Sequence, residues 1–259
     1  MVLFPDTPTT TRAPYLTEED RALAVSRIPD TNASRAPLDL QFIKRLFTTW
    51  YWWGFVILWV IGGETESFSS NTLMALYMKA HPTKDYSVAQ LNNYPTGVPA
   101  VGIVSTLFWA WLTDVLRGKH YLMGYFSVVT GIVTSVLILM RFESTATVLG
   151  AYYWAGAMYA SQAVFFAWCN DTMRGQDARQ RSVVIGSMNL GNNAVNAWWS
   201  ILFYSADLAP RFTGGMWAMI GCSVALAIWT SAVWFMSARE EREPSASSLD
   251  TEVHVNAKD

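Results

Sequence analysis

The sequence predicts an all-α membrane protein with six transmembrane helices, and three observations carry that reading. Hydrophobic residues fill 52% of the 259 positions and charged residues only 15%, where a soluble domain carries roughly 25% charged residues. The charge is unevenly placed: the first 46 and last 23 residues hold half of the Lys and Arg, leaving an apolar middle. Six stretches within that middle each approach the roughly 20 apolar residues needed to cross about 30 Å of hydrocarbon.

Taken in order, residues 1–46 read as a cytosolic segment. Its opening, MVLFPDTPTTTRAPY, lacks the apolar core of a signal peptide. Thr17-Glu18-Glu19-Asp20 has capping-box spacing ahead of ALAVSRI and predicts a short helix from Thr17 to Arg27. Asn32-Ala33-Ser34 fits a glycosylation pattern that a cytosolic location would leave unused. A second helix from about Asp39 sets Leu40, Ile43, Leu46 and Phe47 against Lys44 and Arg45, as a helix lying on the membrane surface does. Residues 47–237 hold the six stretches: Trp50–Met78, Val88–Leu112, Tyr121–Met140, Thr147–Trp168, Val183–Phe203 and Met216–Met236. The first is too long for one straight crossing, and Gly62-Gly63 is its easiest breaking point. Trp50, Trp52 and Trp53 suit an interfacial aromatic belt. Pro95 and Pro99 predict a kink in the second. Residues 238–259, rich in Ser, Glu and Asp, read as a disordered cytosolic tail.

An even number of spans puts both termini on one side. That side collects fourteen Lys and Arg and the other only Lys79, Lys84, Arg141 and Arg211, so both termini are predicted to be cytosolic.

Polarity differs among the spans. The third and sixth contain no charge, Asn or Gln, whereas the others carry polar groups at membrane depth. The order polar, polar, apolar, repeated, is what a three-plus-three inverted repeat gives, although chance alone also gives it readily. GGETESFSSN places Glu64 and Glu66 near the middle of the first span. At 100° per residue Glu64 shares a face with Ser67 and Asn71 while Glu66 points away. Both carboxylates therefore reach one cavity only through a break, or else meet two polar surroundings. A carboxyl in a low dielectric is a natural carrier of a coupling proton; a structural hydrogen bond to a neighbouring helix is the alternative. Asn189, Asn192, Asn193 and Asn196 form one face of the fifth span, lining a cavity or bonding other helices. Tyr152, Tyr159, Gln162 and Phe166 make a similar stripe, and Asn93 and Tyr94 precede the proline kink.

Other classes find little support. A net charge of −2 leaves no basic footprint for nucleic acid. Cys169 and Cys222 are isolated, so no disulfide framework or metal site is predicted, and no cofactor. His81, His120 and His254 all lie outside the spans, with no HExxH or GxSxG, which argues against an intramembrane enzyme.

The runs YSVAQLNNYPTGVPAVGIVSTLFWAWLTD, GGETESFSSN, SQAVFFAWCND and VVIGSMNLGNNAVNAWWSILFYSADLAPRF resemble fungal major facilitator permeases. They resemble the allantoate permease group of anion:cation symporters, its pantothenate transporters most. PDTPTTTRAPYLTEEDRALAVSRI resembles the loop joining the two six-helix halves of such proteins. Asp114, Arg117 and Lys119 resemble the superfamily's acidic-then-basic gating loop, with spacing off by a residue and Ala110 in place of the usual Gly. The resemblance implies a C-terminal half: proton-driven uptake of a small organic anion at the plasma membrane, with spans one and four lining a cavity, two and five flanking it, and three and six outside. It further implies a complementary N-terminal six-helix half, because transporters of this group have twelve spans. That half would have to supply any cation meeting the anion, since no Lys or Arg lies within these spans. Asn71, Asn93, Tyr94, Tyr159, Gln162 and the four Asn of span five are then candidates for the cavity wall. A truncated, non-transporting fragment and a permease for another carboxylate (allantoate, biotin, nicotinate) are the alternatives.

Overall fold

The computed structural model describes residues 16–27, 40–67, 71–81, 83–140 and 142–242, and every regular element among them is helical. By internal contacts the chain divides into residues 1–45 and 46–259.

In the first unit, α1 (Glu18–Arg27) starts as its capping box requires. The Asp20 N–H donates to Thr17 Oγ1 at 3.1 Å and the Thr17 N–H donates back to Asp20 Oδ2 at 3.1 Å. Asn32-Ala33-Ser34 falls outside the described residues. α2 (Leu40–Thr48) runs across the boundary between the units: Leu40 and Ile43, in the first, are exposed, and in the second Leu46 is buried and Phe47 exposed.

In the second unit, α3 (Trp50–Ser67) and α4 (Asn71–Lys79) cover the first predicted stretch. The expected break at Gly62-Gly63 is not there, because those glycines serve contact rather than bending. A Cβ on Gly62 would meet Phe165 at 2.7 Å, and one on Gly63 would meet Asn192 at 1.9 Å. They let neighbouring helices press against an unbroken α3. The second stretch is α5 (Val88–Asn93), a tight turn Tyr94–Thr96 and α6 (Gly97–Val115), interrupted at its proline as expected. α7 (Tyr121–Met140) is continuous. The fourth stretch divides into α8 (Thr145–Ala155) and α9 (Ala160–Thr172) around a tight turn at Gly156–Tyr159. Gly156 packs under the Val98 carbonyl, where a Cβ would stand 2.4 Å from the oxygen, and Ser105 Oγ donates to the Ala157 carbonyl at 2.8 Å. The helix tightens where α6 crosses it. α10 (Ala178–Phe203) and α11 (Thr213–Arg242) complete the unit. α11 carries helix through residues 238–242, which were expected in the tail; the rest of that tail falls outside the described residues.

Among the described residues, three helical segments are long and apolar enough to cross a membrane, Val88–Val115, Tyr121–Met140 and Thr213–Glu240. The bent pair Leu40–Thr48 with Trp50–Glu66 makes a fourth only where the two helices are counted as one span. The fourth and fifth predicted stretches are helical but are not among these spans; their apolar runs are diluted, one by Gln162, Asn170 and Asp171 and the other by Asn and Arg.

α3 is central, packing against α9, α10 and α11, while α7 pairs with α11 and α8, and α6 with α9. The α7–α11 seam is made of small residues. Gly124 abuts Thr230 and Gly131 abuts Ser223, where added Cβ atoms would stand 2.6 and 2.5 Å from side-chain atoms. Close backbone approach supplies van der Waals contact that apolar surfaces alone cannot supply in lipid. The opposite face of α11 exposes Trp217, Val224, Ile228 and Phe235, as a lipid-facing surface does.

Candidate functional site

The last turns of α3 hold the two carboxylates, and an unbroken helix sends them to different surroundings. Glu64 is 2% exposed. Asn192 Nδ2 lies 3.5 Å from Glu64 Oε1, a long and weak hydrogen bond. The contact exists because Gly63 leaves room for the Asn192 side chain. Glu66 instead lines an open groove of about 620 Å³ between α3, α6 and α9, with Gly102, Thr106, Tyr159, Gln162 and Phe166. Tyr159 sits over Gly102, where a Cβ would be 2.6 Å from its ring. The groove is mostly apolar, with a carboxylate, a phenol and a carboxamide on its wall.

The asparagine face of α10 does not act as one unit. Asn192 turns to Glu64. Asn193 Nδ2 donates to the Asn189 carbonyl at 2.8 Å and to Asn189 Oδ1 at 3.0 Å, and both side chains stay exposed. Asn196 Oδ1 accepts from Ser200 Oγ at 2.8 Å. The tyrosine stripe also divides, because the turn at Gly156–Tyr159 changes the helical phase. Tyr152 is buried beside Tyr77 in the core, and only Tyr159, Gln162 and Phe166 reach the groove. Asn93 and Tyr94 are exposed at the α5–α6 interruption and are absent from the groove's described lining. Asn71 opens α4, and its side chain is outside the described residues.

Asp114 lies in the last turn of α6 and Arg117 and Lys119 in the turn leading to α7, all exposed. Arg117 and Gly118 take left-handed φ of 55° and 79°, and the Gly118 N–H caps α6 by donating to the Thr113 carbonyl at 2.9 Å. Next to them is a contact that sequence reasoning missed. His120 is buried, and its Nε2 lies 3.1 Å from Asp171 Oδ2 at the end of α9. A second missed cluster joins the start of α3 to the end of α11. Glu240 Oε1 accepts from Tyr51 Oη at 2.5 Å and Trp50 Nε1 at 3.2 Å, and Gln176 Nε2 donates to Tyr51 Oη at 3.0 Å. Buried Gln180 donates to Thr49 Oγ1 at 3.0 Å. The available signal was Gln176 and Gln180 standing just ahead of a predicted span.

Polar groups thus stand between apolar helices beside an open groove, and comparison with known proteins gives that arrangement a context. The chain is homologous to fungal transporters of the major facilitator superfamily. It is 37% identical to the pantothenate transporter FEN2 of Saccharomyces cerevisiae over 86% of this chain and 43% of that protein. It is 36% identical to the pantothenate transporter liz1 of Schizosaccharomyces pombe over 93% of this chain and 46% of that protein. It is 29% identical to the MFS transporter PfmaC of Pestalotiopsis fici over 96% of this chain and 47% of that protein. The chain thus spans less than half the length of these curated relatives. No family model and no solved structure matches it.

Proposed function

We propose that this chain forms the C-terminal six-span half of a proton-coupled symporter importing a small organic anion, pantothenate being the substrate its relatives' names favour. In this reading the Glu66 groove is part of the substrate path. Glu64 or Glu66 takes up and releases the coupling proton, and Asp114, Arg117 and Lys119 belong to a gating loop on the cytosolic side. A complementary N-terminal bundle closes the path and supplies the cation that meets the substrate carboxylate. The assembly sits in the plasma membrane with both termini of this chain in the cytosol.

One observation carries the reading. Two carboxylates lie two residues apart on an unbroken helix, one enclosed against α10 and the other on a groove open to ligands. Burying a carboxyl among apolar helices costs free energy, about +3 kcal/mol at a helix centre on insertion scales. Proton uptake relieves that cost, so protonation and conformation become linked. The test replaces each carboxyl in the complete protein. Glu64→Gln or Glu66→Gln is expected to abolish accumulation of labelled pantothenate against its gradient while counterflow exchange stays measurable. Normal accumulation in both single variants would remove the assignment.

A further inference from the structure

A second cavity, of about 600 Å³, lies where α7 ends and α8 and α11 begin. Its wall includes Arg211, Phe142, Glu143, Ser144 and Thr213, together with Ile138. The Arg211 guanidinium lies over the Phe142 ring, 4.8 Å from its centroid. A guanidinium stacked on its flat face keeps its edge N–H groups available for a planar acceptor. Among the described residues Arg211 makes no ion pair. Phe212 takes φ 42°, a conformation that bulky residues rarely adopt, and its side chain is wholly buried. The buried ring anchors the backbone there, so Arg211 and Thr213 on either side are held at the cavity.

We propose that this cavity binds a small organic monocarboxylate, with Arg211 pairing with the carboxylate and Ser144 and Thr213 offering hydroxyl donors. Arg211 is the one cation among the cavity's described lining residues, which suits one carboxylate. Glu143 on the same wall opposes a second one and accepts from a hydroxyl or amide N–H of the ligand. Leu139 and Met140 on the same wall suit a short carbon chain, and the volume lies within the usual range for small-molecule sites, roughly 300–1,000 Å³. The cavity is lined by none of the residues of the Glu66 groove, so it stands independently of the transport reading. A lipid headgroup presents the same anionic oxygens, and the experiment separates the two sources.

The full chain, in nanodiscs of phosphatidylcholine alone, is titrated with sodium butyrate and with uncharged butyramide, binding being read by saturation-transfer NMR. Butyrate should bind saturably and about tenfold more tightly than butyramide, as charge-assisted bidentate pairing requires. Arg211→Gln should weaken butyrate about tenfold and Ser144→Ala about threefold, each loss being a charged or neutral hydrogen bond. Arg239→Gln, at the other end of α11, should change nothing. Ser144→Ala leaves the stack on Phe142 intact, so it keeps the test decisive should Arg211→Gln fail to fold. Equal binding of butyrate and butyramide, or unchanged affinity in a folded Arg211→Gln or in Ser144→Ala, overturns the proposal. Loss of butyrate binding on adding phosphatidylglycerol to the nanodiscs assigns the cavity to lipid and overturns it as well.

Discussion

At the scale of single residues, glycines set how closely the helices approach, and their environments separate costly substitutions from harmless ones. Gly156 faces the Val98 carbonyl, where an added Cβ would stand 2.4 Å from a backbone oxygen that cannot rotate away. Gly150, six residues earlier in α8, has nothing within 4 Å. Gly156→Ala should therefore destabilise by about 1–3 kcal/mol, the usual cost of overpacking. Gly150→Ala should be neutral or stabilising by up to about 1 kcal/mol, the helix-propensity difference. Thermal unfolding of the two variants in detergent checks this, and similar melting temperatures would refute it. The glycine pair at 62–63 shows why this level was hard to read beforehand. Two adjacent glycines suggest a hinge as readily as a contact, and only the positions of Phe165 and Asn192 decide between them. Glu64, Glu66 and Gln162 could be singled out because polar groups stand out in an apolar sequence. The pairing of Glu64 with Asn192 could not, since it joins residues 128 positions apart.

At the scale of elements, the helices followed from apolar run length, and the capping box of α1 from four consecutive residues. Its carboxylate gives a pH-dependent prediction. Hydrogen bonds from the Thr17 side chain and backbone hold the Asp20 carboxyl below its ordinary value of 3.8. A lowered folded-state pKa means the contribution is present above the ordinary pKa and is lost as pH falls through the lowered one. Thr17→Ala should move the Asp20 titration back toward 3.8, read by NMR, and an unshifted titration would contradict the cap. Joints between elements were less legible. Glu240 reads as part of a charged tail because a serine and an arginine precede it, yet α11 runs on and places it against Tyr51 and Trp50. A double-mutant cycle of Tyr51→Phe and Glu240→Gln should show a coupling of about 0.5–3 kcal/mol, as for directly bonded partners. Additive effects would mean the contact contributes nothing. The α7–α11 seam was hidden for another reason. Both helices were read as apolar because they lack charge, Asn and Gln, whereas the residues that join them are Gly, Ser and Thr.

At the scale of the whole molecule, the question is which faces of the bundle meet lipid and which meet water or a second bundle. The exposed face of α11 is entirely apolar along Trp217, Val224, Ile228 and Phe235. The exposed face of α10 mixes Leu190 and Trp198 with Asn189 and Asn193. Carboxamides facing acyl chains would lose hydrogen bonds that water or protein supplies, so α10 should present this face to water or a second bundle and α11 its apolar face to lipid. Cysteine accessibility in membranes distinguishes the two. Cys169 is buried and Cys222 half-buried, so Cys222→Ala gives a quiet background. In that background Asn193→Cys should react with a water-soluble maleimide, and Ile228→Cys should react only with a lipid-permeant one. In the complete protein the anion of the proposed symport should slow labelling at position 193 and leave position 228 unchanged, because in that proposal only the first lies beside the wet path. Equal labelling of the two, or a reversal, would place the asparagine face in lipid and remove the path by which the proposed proton reaches Glu64.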